Sequence, residues 1–99
     1  MGKKPRWANK KTDELFKAVL SLKDIEECEK FFRDILTLEE IREIAARWHV
    51  AQMINEGLSY REIADKTKIS TSTITRVAHW LHYGMGGYKL VLNRLKQNK

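Results

Sequence analysis

The stretch ISTSTITR, residues 69 to 76, places five hydroxyl side chains among eight residues. Ser and Thr are mediocre helix formers because their oxygens compete for nearby backbone groups. Ile69, Ile74 and Val77 are nevertheless spaced as if the stretch enters a helix that buries one face. With Ile74 and Val77 turned inward, Thr71, Ser72, Thr75 and Arg76 project outward or sideways from its first turns. Short hydroxyl side chains let a backbone approach a surface closely, and they can donate to or accept from base edges and phosphates. Ser70 is placed as the N-cap, and the free amides of such a helix start favour an anion. Arg61, Lys66, Lys68 and Arg76 surround the start with positive charge. The chemistry open to this group is recognition of a polyanion.

Positioning these side chains requires two short helices joined by a tight turn. The spacing predicts helices over 60–66 and 71–82, which is a helix-turn-helix spanning about residues 59–82. Ile63 and Ala64 belong to its first helix, Ile69 closes the turn, and Ala64 is small enough for the second helix to cross close by. Such turns commonly contain Gly, whereas this one has Thr67 and Lys68; a left-handed Lys68 costs about 1 kcal/mol. In a DNA-reading unit of this kind, the N-terminal residues of the second helix meet base edges. The same unit also occurs as a plain packing corner. A scaffold whose basic face binds an acidic protein is therefore the alternative reading.

The remaining chain is also helical. Pro5 is the only proline, no sustained period-2 alternation occurs, and no Asn-Gly or Asp-Gly hairpin turn is present. Apolar residues recur at helical spacing as Leu15, Phe16, Val19 and Leu20, then Ile25, Cys28, Phe31, Phe32, Ile35 and Leu36. A longer stripe runs through Leu38, Ile41, Ile44, Ala45, Trp48, Ala51, Met53 and Ile54, and a last one through Leu90, Val91, Leu92 and Leu95. Asp24 with Glu27, Thr37 with Glu40 and Ser59 with Glu62 have capping-box spacing. Gly57 and the GMGG run at 84–87 mark helix ends. Six helices are expected, over 10–21, 24–35, 38–56, 60–66, 71–82 and 87–97, in an all-α fold.

Charge divides the 99-residue chain. Residues 1–11 carry five basic groups and no acid, residues 12–56 have a net charge of −5, and residues 57–99 a net charge of +6. An acidic middle beside a basic C-terminal part suits a protein that presents one end to a polyanion. The basic N-terminal arm, 1–11, is expected to lack order without DNA, with a single domain over 12–97. The core available to such a chain is small, so a dimer interface would supplement it.

Other chemistries find little support. Cys28 stands alone, which points to a reducing, cytoplasmic setting and to a small apolar role. His79 and His82 lie three apart with Cys28 distant, so a metal would lack a fourth ligand; no metal and no cofactor is expected. No apolar run approaches the ~20 residues that span a bilayer, and the N-terminus lacks the apolar stretch of a signal peptide. The GMGGYK segment has no phosphate-loop spacing. Trp7, Trp48 and Trp80 are read as core or interface residues. No nucleophile, base and orienting group can be assembled, so an enzyme is not expected.

The segment SYREIADKTKISTSTITR, with LTLEEIREIAARW before it, resembles the Trp repressor superfamily, in particular its TrpR-related YerC/YecD-like proteins, over about residues 12–97. The resemblance implies an intertwined six-helix homodimer that binds double-stranded DNA as a transcriptional regulator, a repressor by analogy. It places base contacts on Thr71, Ser72 and Thr75, with Arg61 facing DNA from the preceding helix. A basic residue of the family pattern one turn after Arg61 is Ala64 here. Thr37, Arg47 and Arg76 match positions that hold bound tryptophan in the repressor. The family's Gly after the second arginine is Val77, and its Ser three residues further is Trp80. These departures imply that tryptophan is not the effector, that Trp80 fills part of the pocket, and that the identity of any small-molecule effector is open.

Overall fold

A computed structural model describes residues 4–97. It contains six helices: α1 (Lys10–Leu20), α2 (Ile25–Ile35), α3 (Leu38–Asn55), α4 (Tyr60–Thr67), α5 (Thr71–Tyr83) and α6 (Gly87–Gln97). No strand occurs among the described residues. The chain divides into two units, residues 1–38 and 39–99.

In the first unit, α1 starts where Asn9 and Thr12 exchange bonds. The Thr12 amide donates to Asn9 Oδ1 at 3.0 Å and the Asn9 amide to Thr12 Oγ1 at 2.8 Å, closing two orphan donors at once. Residues 4–9 lead in through a turn closed by Ala8 N to Pro5 O at 3.0 Å. Trp7 meets Phe16 edge to face at 6.2 Å, and Lys4 pairs with Asp13. Of the arm expected over 1–11, Lys10 and Lys11 thus belong to α1, and residues 1–3 lie outside the described residues.

Asp24 caps α2 as its type suggests, accepting from the Glu27 amide at 2.9 Å. Glu27 does not complete the expected box. Its carboxylate accepts from the Lys23 amide at 2.9 Å, one residue before the cap. No residue of α1 or α2 is buried, and Leu20 and Ile25 are about four-fifths exposed, at 83% and 79%. The apolar stripes are present and only partly covered: Val19, Cys28, Phe31 and Phe32 are half-buried, and Trp7 packs on Phe16.

The second unit holds the core. Val50 and Ala51 of α3, Ile63 of α4, and Ile74 and Val77 of α5 form one buried cluster. Trp48, Met53, Ile54, Leu58, Ala64, Ile69 and Tyr88 pack around it. Val50 was absent from the stripe read in the sequence, yet it is fully buried, while Leu38 and Ile44 of that stripe are half-exposed. Trp48, Val50, Ala51, Met53 and Ile54 all join this core, so the C-terminal half of α3 supplies its contacts.

Two tight connections fix the arrangement. After α3, Leu58 N bonds Met53 O at 3.2 Å and Gly57 N bonds Ile54 O at 3.0 Å. This Schellman pair requires the left-handed Gly57, φ +95°. Between α4 and α5 the left-handed residue is Lys68, φ 63°, ψ 14°. Thr67 supports it from both sides: its hydroxyl donates to Ile63 O at 2.7 Å and accepts from Ile69 N at 3.1 Å. A side chain that braces the turn stands in for the glycine usually found there. Replacing Lys68 with Gly should raise stability by about 0.5–1 kcal/mol by relieving the left-handed strain. Thr67→Val should lower it by about 1 kcal/mol through loss of both bonds; thermal unfolding of the two variants checks the pair of signs.

Candidate nucleic-acid interface and adjoining pocket

The first helix of the helix-turn-helix is set by its cap. Ser59 Oγ accepts from Glu62 N at 3.1 Å, and Glu62 Oε1 accepts from Ser59 N at 3.0 Å. The Ser59 amide, then its hydroxyl and the nearby Lys66 charge, hold the Glu62 carboxyl below the usual carboxylate range. The box is therefore complete above that range and is lost only as pH falls through the lowered value. It aims α4 so that Ile63 enters the core and Arg61 and Lys66 face outward, both exposed.

The second helix starts at Ser70. Its hydroxyl accepts from Thr73 N at 3.3 Å, donates to Thr73 Oγ1 at 3.0 Å and lies 3.1 Å from Ser72 Oγ. Ile74, Val77, Ala78 and Leu81 are buried at i, i+3, i+4 and i+7, so one stripe of α5 faces the protein. Ser70, Thr71, Ser72, Thr75 and Arg76 are all exposed on the remaining surface. Among the described residues neither the Thr71 nor the Thr75 hydroxyl has a hydrogen-bond partner in the chain. Arg61, Lys66, Lys68 and Arg76 make no ion pair there. Every residue named from the sequence for this surface is accessible, and the α4–turn–α5 packing holds them on one unit. The Ser70 cap is as the sequence suggests, whereas the contacts of its hydroxyl with those of Ser72 and Thr73 were not foreseen, although their spacing of two and three residues is the available signal.

Beside α5 lies a cavity of about 740 Å³. Arg47, Arg76, Val77 and Trp80 line it, together with Glu43, Thr73 and Tyr88. Thr37 falls in the first unit and is not among its lining residues. The Trp80 indole forms one wall of this cavity and is 55% exposed. One turn later stands Gly84, where a Cβ would collide with the Trp80 backbone carbonyl oxygen. The indole also borders a smaller apolar cavity of about 470 Å³ with Trp48, Met85 and Val91. Val77 is almost fully buried, and Tyr88 stacks on Trp48 at 6.3 Å and 12°. Glu43 stands one turn before Arg47 and could have been found by helical spacing; Tyr88 lies beyond a connection whose course the sequence does not define.

Family comparison covers nearly the whole chain: residues 10–96 match the family described as Trp repressor protein. The chain belongs to the Trp repressor family. Similar members include the uncharacterized protein YerC of Bacillus subtilis, 46% identical over 91% of this chain and 86% of that protein. The Trp operon repressor homolog of Chlamydia trachomatis is 36% identical over 62% of this chain and 70% of its own. A crystal structure of a TrpR-like protein from Eubacterium eligens superposes with a TM-score of 0.85, at 44% identity, over 89% of this chain and 91% of that one. The six helices are the Trp repressor fold. No helix among the described residues is long and apolar enough to cross a membrane.

Proposed function

We propose that this Trp repressor family member is a sequence-specific, double-stranded DNA-binding transcription regulator, a repressor, that reads the major groove with the start of α5. One observation carries the reading. The hydroxyl-rich first turns of α5 stand opposite its buried stripe, within a set of unpaired cations from α4, the turn and α5 itself. Thr71, Ser72 and Thr75 act on base edges. Arg61, Lys66, Lys68, Ser70 and Arg76 act on the phosphate backbone and set the register. The chlamydial relative named as a Trp operon repressor homolog supports the assignment.

The binding form is a homodimer in the cytoplasm. The open apolar faces of α1, α2 and α6, with Leu20 and Ile25 largely bare, support it, because large exposed apolar patches mark association sites. Sedimentation at micromolar concentration should give twice the chain mass. A monomer there would remove the two-fold reader.

Tryptophan is not the effector. The resemblance puts a glycine at the position of Val77 and a serine at that of Trp80, and the larger side chains found here both line the cavity, which supports this reading. Arg47 and Arg76 remain as an effector pair whose ligand is of another kind, or as residues that hold the reader without one. Titration calorimetry with L-tryptophan should show no saturable heat; saturable binding that Arg47→Ala abolishes would reverse this.

For DNA itself, affinity should fall with salt at a log–log slope of about 0.9 per phosphate contacted. Thr75→Ala should cut discrimination between a selected and a shuffled duplex by about 1–2 kcal/mol, whereas Lys66→Ala should weaken both alike. Equal responses of the two duplexes to both variants would instead favour the protein-interaction scaffold.

A further inference from the structure

Past its first two turns α5 continues with an exposed surface that the assignment above leaves unused. Directly opposite the buried Ile74, Val77, Ala78 and Leu81 lie Ser72, Arg76, His79 and Tyr83, at i, i+4, i+7 and i+11. All four are exposed, and each bears a hydrogen-bond donor: a hydroxyl, a guanidinium, an imidazole and a phenol. None of the 13 residues of α5 is acidic. A helix face meant only for water ordinarily mixes acids and bases. This one carries four groups able to donate, and no acid, along about 17 Å of helix.

His79 is also held in place. Its ring meets Trp80 at 5.2 Å, nearly perpendicular, and Tyr83 at 5.5 Å. Two aromatic neighbours restrict the imidazole, so its N–H is presented with little rotamer entropy left to lose. A donor fixed one turn beyond Thr75 and Arg76, on the same exposed face, lies where a helix leaving the major groove passes the flanking strand.

We infer that the DNA-contacting face runs the full length of α5, with His79 and Tyr83 donating hydrogen bonds to phosphates that flank the bases read at its start. The occupant is the sugar–phosphate backbone of the duplex, chosen because an acid-free row of donors complements a polyanion. The inference rests on the DNA-binding reading and adds two residues to it. Their contacts position the protein without carrying sequence information.

The test uses the full chain and two labelled duplexes. One is enriched from genomic fragments by the wild-type protein, and the other is a shuffled duplex of equal length and composition. His79→Phe keeps a ring between Trp80 and Tyr83 but removes the donor, and His79→Gln restores one. His79→Phe and Tyr83→Phe should each weaken binding to both duplexes roughly three- to tenfold, the scale of one hydrogen bond. Discrimination, sedimentation and thermal unfolding should stay unchanged, and His79→Gln should recover most of the affinity. Wild-type affinity in His79→Phe, while Thr75→Ala still loses discrimination, overturns this inference and leaves the DNA reading intact. Loss on the selected duplex alone makes His79 a base contact and overturns the phosphate assignment. Loss accompanied by altered mass or stability, unrescued by Gln, assigns the row to subunit packing and overturns it too. If the wild type binds neither duplex, both readings fall together.

Discussion

The burial of Ile63 against Ile74 and Val77 governs the rest of the second unit. Those three side chains, closed from behind by Val50 and Ala51, fix the rotation of α5 about its own axis. Once that rotation is set, the exposure of Ser72, Thr75 and Arg76 follows from helical geometry alone. A core that tolerated another rotation would bury the hydroxyls and expose isoleucine. Each of these side chains contributes on the order of 1.5–3 kcal/mol by leaving water. The same contacts therefore stabilise the unit and determine what it shows to a partner.

Local chemistry made most of this legible. The Ser59–Glu62 box, the Asp24 and Ser70 caps, Gly57 and the left-handed Lys68 all depend on residues within five positions of each other. Such short-range signals survive in a linear sequence, and so the six helices lie within a residue or so of their expected ends. What escaped was set by neighbours distant in the chain. Val50 is buried because α4 and α5 cross its side of α3, whereas the more regular stripe through Leu38 and Ile44 stays half-exposed. Tyr88 reaches the pocket only because the 84–87 connection returns α6 toward Trp48. Glu27 shows a subtler failure: the spacing foretold a capping carboxylate, but which amide it takes depends on the backbone path before Asp24.

The pocket beside α5 brings two cations together. Arg47 and Arg76 both line one cavity, from α3 and α5. Val77 and Trp80 of α5 line it too, the first almost fully buried and the second about half exposed. Val77 joins the two regions, since it lines the cavity and belongs to the buried cluster that seats α5.

The uncovered apolar residues of α1, α2 and α6 have a cellular consequence. Anything that covers them only in the native state enters the folding equilibrium by mass action. If a second copy is that cover, as proposed above, the quantity of competent protein rises faster than the quantity synthesised. A modest change in gene dosage then becomes a larger change in occupancy, a threshold written into the hydrophobic surface without any added ligand.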